Sequence, residues 1–330
     1  MVGSAEVRTA VAGRTLTLTN LDKVLFPAVG YTKAEVIAYY AAIADTLLPH
    51  VCDRALTRIR YPDGVGPSSS ANDRSFYEKN APKGTPDWVR TAPVLTSDGL
   101  VDYVVAEEPA TVVWLANLAA LEMHVPQWTI SSATPDAEGV IHLPGADPQP
   151  GEPLANRVVV DLDPGAGMTL VECSRAALMV AALLAADDMI PVPQTSGSKG
   201  MQVYAAVQPC RSADATAYVR QLARRLKKSQ PDLFVLTMSV AQRAGHIYVD
   251  HLQNIAAKNT VSPYSLRGRE QPGVATPLSW DEVAAVTAPE ELKFTPEQVL
   301  ERVAEHGDFA ADLLGEHAPP LPTLDQEIRA

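Results

Sequence analysis

The run Arg157-Val158-Val159-Val160-Asp161-Leu162-Asp163-Pro164-Gly165 constrains this 330-residue chain more than any other feature. Three consecutive β-branched residues favour a strand buried on both faces. Side chains alternate along a strand, so Asp161 and Asp163 project to one face while Leu162 returns to the core. Two carboxylates held that close repel each other unless a cation lies between them, and hard oxygen donors suit Mg²⁺ or Mn²⁺. Alone, the pair is equally compatible with a solvated strand end running into the Pro164-Gly165 turn. A third aspartate, Asp250, closes a second apolar strand, Ile247-Tyr248-Val249, ahead of the polar residues His251, Gln253 and Asn254. Three strand-end aspartates of this kind are what a two-metal phosphoryl- or nucleotidyl-transfer site requires.

Other segments carry complementary chemistry. Thr195-Ser196-Gly197-Ser198-Lys199-Gly200 joins two apolar strands through a turn whose amides can converge on an anion, with Lys199 adding a point charge. The Walker A spacing is absent, and a plain flexible hairpin is the alternative. His124, after an apolar run, reads equally as a core histidine. Arg267 sits in Ser-Pro-Tyr-Ser-Leu-Arg-Gly-Arg, a stretch too polar for core and able to clamp a triphosphate. Phe76 and Tyr77, followed by Glu78 and Lys79, can stack on a base and hold a phosphate, or simply anchor a loop.

Strand and helix signals interleave throughout, which predicts an α/β (α+β) fold. Thr32 with Glu35 predicts a capping box opening a helix that ends at Pro49. A buried helix is predicted over Pro109–Met123, and another over about Thr169–Asp187. Residues 64–74 and 136–153 read as loops, the second able to divide two lobes. No stretch is apolar enough to span a membrane and no secretory signal is visible, so a cytoplasmic protein is expected. Three scattered cysteines, Cys52, Cys173 and Cys210, support neither disulfides nor zinc and read as buried thiols. The net charge of −12 argues against a polyanionic partner, but residues 281–330 hold twelve acids and three bases, accounting for −9 of it. A local basic surface is still compatible with this, since Arg211, Arg220, Arg224, Arg225, Lys227 and Lys228 fall in one run, all but Arg211 on a predicted helix over 213–228.

The strings VDLDP, TSGSKGMQVY, VDHLQN and SPYSLRGR, in that order, resemble the archaeo-eukaryotic primase superfamily. The polymerase domain associated with bacterial DNA ligase D in non-homologous end joining, and its stand-alone relatives, is the family member they resemble most. The resemblance runs from LTNLDKVLFP near residue 18 to about residue 315. It implies one primase-polymerase domain over 1–315, with a central mixed or antiparallel sheet flanked by helices, and a tail over 316–330. It further implies that Asp161, Asp163 and Asp250 hold two Mn²⁺ or Mg²⁺ ions. Ser196 and Lys199 would bind the triphosphate of an incoming NTP or dNTP, with Arg267 and Gln253 assisting, His124 near sugar and phosphate, and Arg243 beside the site. Asn20, Lys23 and Lys33 would grip a downstream 5′-phosphate on gapped or overhanging DNA. Phe76 and Tyr77, with Lys79 beside them, would support the template, although Tyr replaces the more familiar Phe and the 64–74 segment is long. Ribonucleotides are expected to be preferred, and Ku and a separate ATP-dependent ligase are candidate partners. Two other readings compete: a haloacid-dehalogenase-like phosphatase with Asp161 as nucleophile, and a non-catalytic DNA-end-binding module.

Overall fold

The computed structural model describes residues 6–66, 75–145, 149–315 and 318–322. Its architecture is mixed α/β, built on a five-stranded and a four-stranded sheet. The five-stranded sheet runs, in spatial order, Pro191–Thr195, Met201–Arg211, Leu154–Pro164, Ile247–Asp250 and Phe234–Val235. All neighbours are antiparallel except the last pair. The four-stranded sheet is antiparallel, in the order Thr260–Val261, Ala120–Val125, Thr57–Arg60, Phe76–Glu78.

Leu154–Pro164 is the central strand, and its alternation separates two interiors. Val158, Val160 and Leu162 pack with residues of the helices Leu170–Ala186 and Ser212–Ser229. Val159 points the other way, into the apolar cluster that holds Tyr204 and the first long helix. The 136–153 segment is no bare linker between lobes, because Ile141–His142 pairs with Thr91–Thr96 of a hairpin the sequence did not announce. Of the 64–74 loop, residues 67–74 lie outside the described residues, and the 316–330 tail is described only at 318–322. Cys173 is buried, but Cys52 and Cys210 are only half-buried, and all three are free.

Two helix boundaries differ from expectation. The helix capped by Thr32 and Glu35 spans Lys33–Val51 and passes through Pro49. A proline in a last turn gives up its own N–H bond and crowds one carbonyl, a cost that packing of the turn can offset. Here His50 and Val51 are fully buried, and His50 Nε2 lies 2.8 Å from Asp308, which holds the turn in place. The helix expected over Pro109–Met123 stops at Asn117. Ala119 adopts φ of 58°, and the chain restarts as the strand Ala120–Val125. An unbroken apolar run gives no period by which to tell the two apart.

Asn254 extends the sheet by side chain. Along the central strand, Ile247–Asp250 pairs only with Asp161 to Pro164, after which the chain coils into a short 3₁₀ turn. The buried Asn254 amide then takes over: Oδ1 accepts from Val159 N at 2.9 Å and Nδ2 donates to Val159 O at 2.8 Å. Asn254→Ala would strand both groups inside the core. Since an unsatisfied buried polar group costs about 1–3 kcal/mol, we expect a loss of about 2–5 kcal/mol in a urea unfolding titration. A loss below about 0.5 kcal/mol would contradict this pairing.

Candidate active site

Antiparallel register builds the carboxylate cluster. Asp161 stands opposite Asp250 across one strand pair and opposite Gln202 across the other. Residues directly opposite share a face, and Asp163 is two residues on, so all three carboxylates emerge on the face away from the Leu170–Ala186 helix. One carboxylate oxygen from each lies within 4.8 Å of the others. Burial, and then the Asp163 and Asp250 charges, push the Asp161 carboxyl well above the usual carboxylate range; its bond to Gln202 opposes this. Asp163 is raised too, by burial and then by Asp250, against the pull of Arg243. The donor set, all hard oxygen and short of positive charge, fits Mg²⁺ or Mn²⁺.

The flanking residues hold these carboxylates in place. Gln253 Nε2 donates to Asp250 Oδ2 at 2.8 Å, and Leu252 N donates to Oδ1 at 3.1 Å. Gln253 therefore touches an aspartate while also lining the cleft. The Arg243 guanidinium lies 3.7 Å from the centre of the Tyr248 ring, with Nη1 3.9 Å from Asp163. Gly165 makes room for the backbone that carries Arg243, since a Cβ there would sit 1.7 Å from the Arg243 carbonyl oxygen. Gln202 was not legible in the sequence. Its Oε1 accepts from Tyr204 Oη (2.9 Å) and Gln194 Nε2 (3.2 Å), leaving its amide to donate to Asp161.

The Ser196–Gly200 turn faces the same cleft of about 440 Å³, which Asp161, Asp163, His124 and Arg267 also line. Ser196 and Gly200 bond to each other through N–H···O at 3.0 Å and N–H···Oγ at 3.2 Å. Gly197 has φ of 64°, and a Cβ would fall 2.6 Å from Arg267 Cγ. Arg267 Nη1 donates to Ser196 O at 3.0 Å, tying it to the turn. Lys199 is exposed at the turn's tip. His124 is only 13% exposed, with Nε2 2.9 Å from the buried carboxylate of Glu122.

A neighbouring cleft of about 490 Å³ shares His124, Gln253 and Asn259 with the first, and is walled by Tyr77 and Lys79. Phe76 and Tyr77 are exposed by 52% and 55%. Tyr77 is tethered through Asn259, whose Nδ2 donates to its hydroxyl at 2.9 Å and to Thr57 Oγ1 at 3.1 Å. Lys79 is 3.6 Å from Asp98. Lys23, Lys33 and Asn20 are neighbours elsewhere, beside Arg60. Asn20 and Lys23 are exposed, and Lys23 reaches Asp63 at 3.4 Å. Lys33, by contrast, is buried, with Nζ donating to Thr19 O at 2.6 Å. Burial, then the Lys23 and Arg60 charges, push its ammonium down to about 8.

The raised aspartates have a measurable consequence. A carboxyl whose folded value is raised favours folding below its ordinary value of 3.8, and that contribution is lost as pH rises through the folded value. The metal-free chain should therefore be less stable than Asp161→Asn above this range, with a gap that widens as pH climbs from about 4 toward neutrality. Adding Mn²⁺ should raise the wild-type Tm more than that of Asp161→Asn. Parallel Tm-against-pH curves for the two proteins would show no gap if the repulsion is absent.

A family model described as the LigD primase-polymerase domain matches residues 32–310. The multifunctional non-homologous end joining protein LigD of Mycolicibacterium smegmatis is 39% identical over 90% of this chain and 36% of its own length. The bifunctional LigD of Bacillus subtilis is 33% identical over 88% of this chain and 43% of its own length. The chain thus spans well under half of either relative. Among solved structures, the polymerase domain from Mycobacterium tuberculosis ligase D in complex with DNA superposes with a TM-score of 0.79. It is 37% identical, with 92% of this chain and 99% of that one covered. These matches leave the phosphatase reading without support. With three clustered carboxylates on antiparallel strands and matches that cover the strands bearing them, the chain belongs to the LigD primase-polymerase domain family, whose polymerase domains are DNA/RNA nucleotidyltransferases.

Proposed function

We propose that this chain extends a 3′-hydroxyl at DNA gaps or broken ends, adding nucleotides opposite a template, with ribonucleotides preferred. The observation that carries this reading is the single cleft shared by the carboxylate face and the Ser196–Gly200 turn. In the reaction the 3′-oxygen attacks the α-phosphorus, the bond to the bridging oxygen breaks, and pyrophosphate leaves with its charge. Divalent ions held by Asp161, Asp163 and Asp250 would lower the pKa of the attacking hydroxyl and neutralise charge on the phosphate oxygens. The amides of the turn, the Ser196 hydroxyl, Lys199 and Arg267 would bind the triphosphate, and His124 the sugar side of the nucleotide. Arg243 would keep Asp163 oriented from outside, and Gln253 would do the same for Asp250.

Phe76, Tyr77 and Lys79, on the wall of the adjoining cleft, would carry the template base and its phosphate. Lys23, Asn20 and the buried Lys33 would form the 5′-phosphate pocket. The Lys23 and Arg60 charges raise the cost of charging Lys33, which a phosphate monoester would relieve. The relatives' names place them in end joining, which supports broken ends as the setting; Ku, a separate ATP-dependent ligase and the bacterial cytosol are the partners and location that would go with this reading. No helix among the described residues is long and apolar enough to cross a membrane.

The test is nucleotide incorporation on a primed, gapped template carrying a 5′-phosphate or 5′-hydroxyl downstream, with Mn²⁺ or Mg²⁺. Wild type should extend the primer, and Asp163→Ala should fall below about a tenth of its rate, since metal-held charge stabilisation is worth several kcal/mol and each 1.4 kcal/mol is tenfold. Fluorescence anisotropy at one salt concentration should show tighter binding to the 5′-phosphate, and Lys23→Ala should shrink that difference. Failure to extend any primer would reject the activity, and equal affinities in wild type would reject the pocket.

A further inference from the structure

Glu122 is a deeply buried carboxylate behind His124 and Arg267, two residues that line the cleft, and neither the sequence motifs nor the relatives' names assign it a role. Its side chain is 3% exposed. It lies on the strand Ala120–Val125, two residues before His124, so the two side chains share a face. Oε2 lies 2.9 Å from His124 Nε2 and 3.1 Å from Arg267 Nε. Oε1 accepts from Gly268 N at 2.9 Å and from Tyr61 Oη at 3.3 Å. The Arg267 approach is a charge contact rather than a straight hydrogen bond, because the Nε hydrogen is not aimed at the carboxylate and has no acceptor of its own.

We infer that Glu122 is a positioning residue: it holds Arg267 and His124, one on each side, in the orientations with which they meet the nucleotide. The inference rests on the nucleotide reading of the cleft given above. Each link is geometric. Arg267 is fixed at two points, Nε against Glu122 and Nη1 on Ser196 O, which leaves Nη2 for a ligand. Without Glu122 it would hang from the turn alone. The short strand Leu266–Gly268 that carries Arg267 is itself pinned by the Gly268 N–H to the same carboxylate. Gly268 is required there, since a Cβ would stand 2.1 Å from the Tyr61 ring.

For His124 the consequence is a tautomer. A carboxylate accepts only, so Nε2 must carry the hydrogen, and in the neutral ring Nδ1 then keeps its lone pair. Nδ1 has no protein partner among the described residues, so His124 brings a hydrogen-bond acceptor to the clefts it lines. Glu122 is suited to this task because it stays ionised. Burial pushes its carboxyl up, but the Arg267 charge, the His124 bond and the Gly268 N–H overcome that and hold it at about 2. Glutamine cannot replace it. Its NH₂ must oppose either the Gly268 N–H or the Arg267 guanidinium, and in both orientations the charge facing Arg267 is lost.

The test is calorimetric binding of ATP to the full chain in Mn²⁺, with DNA affinity measured alongside. Glu122→Gln should raise the Kd for ATP about tenfold and leave DNA affinity within twofold, because losing a charge-assisted contact misaims both groups. Glu122→Asp keeps the charge with one methylene fewer, so it should fold and bind ATP closer to wild type than Glu122→Gln does. The decisive arm is the His124→Ala/Arg267→Ala background, where adding Glu122→Gln should change the Kd by less than twofold, since Glu122 would have nothing left to position. Should Glu122→Gln fail to fold, the same cycle is run with Glu122→Asp. Unchanged ATP affinity in both Glu122 variants would overturn the inference alone, as would an equal loss in the double-alanine background. Wild type that fails to bind ATP would overturn the nucleotide reading, and this inference with it.

Discussion

Mutual repulsion among Asp161, Asp163 and Asp250 is the constraint around which the rest of the site is arranged. The central strand fixes two of these carboxylates on one face, and the antiparallel register with Ile247–Asp250 delivers the third directly opposite. Nothing in the core can relax that arrangement, because Val160 and Leu162 on the other face are fully buried against two helices. The protein therefore holds a concentrated negative charge in place through packing. It surrounds that charge with oriented donors from Gln202, Gln253 and Leu252 and one partly withdrawn cation, Arg243. The pattern leaves the carboxylates oriented but not neutralised, which is what a divalent-ion site needs before its ions arrive.

Charge placement also bears on how a chain of net −12 could meet a polyanion, as the nucleotidyl-transfer reading requires. Cations gather at a few built positions instead of spreading over a face. Lys199 and Arg267 both flank the turn, Lys79 stands by the exposed aromatic pair, and Lys23, Lys33 and Arg60 form a third group, with Arg60 across the strand pair from Phe76. The helix Ser212–Ser229 adds Arg220, Arg224 and Lys228, none with an ion pair among the described residues, whereas Arg211 and Arg225 are engaged with Asp214 and Asp187. Recognition then depends on where each cation is held, and less on long-range attraction, which the net charge opposes.

Much of this was legible in the sequence because strands print their face pattern directly. The D-x-D run, the third strand-end aspartate and the polar turn between two strands all rest on the two-residue period, and the structure brings those residues into one cleft. The Thr32–Glu35 cap was equally readable, since both partners lie within four residues. What escaped were contacts between segments far apart in the chain. Glu122 looked like one polar residue at the end of an apolar helix until the backbone break at Ala119 turned that segment into a strand. Gln202, Asn254 and Asn259 act through small sets of side-chain hydrogen bonds that leave no periodic trace. The burial of Lys33 follows from its place at the first turn of a helix packed on the core, which its own residue type does not signal.

Anomalous diffraction at the manganese edge, from crystals of the chain grown or soaked with Mn²⁺ and a nucleoside triphosphate, addresses the cation site most directly. The expected result is strong anomalous density bonded to Asp161, Asp163 and Asp250, with the triphosphate running toward Lys199 and Arg267. Density absent from the three aspartates, or present only elsewhere on the chain, would contradict the assignment of this carboxylate face as the metal-holding centre of the enzyme.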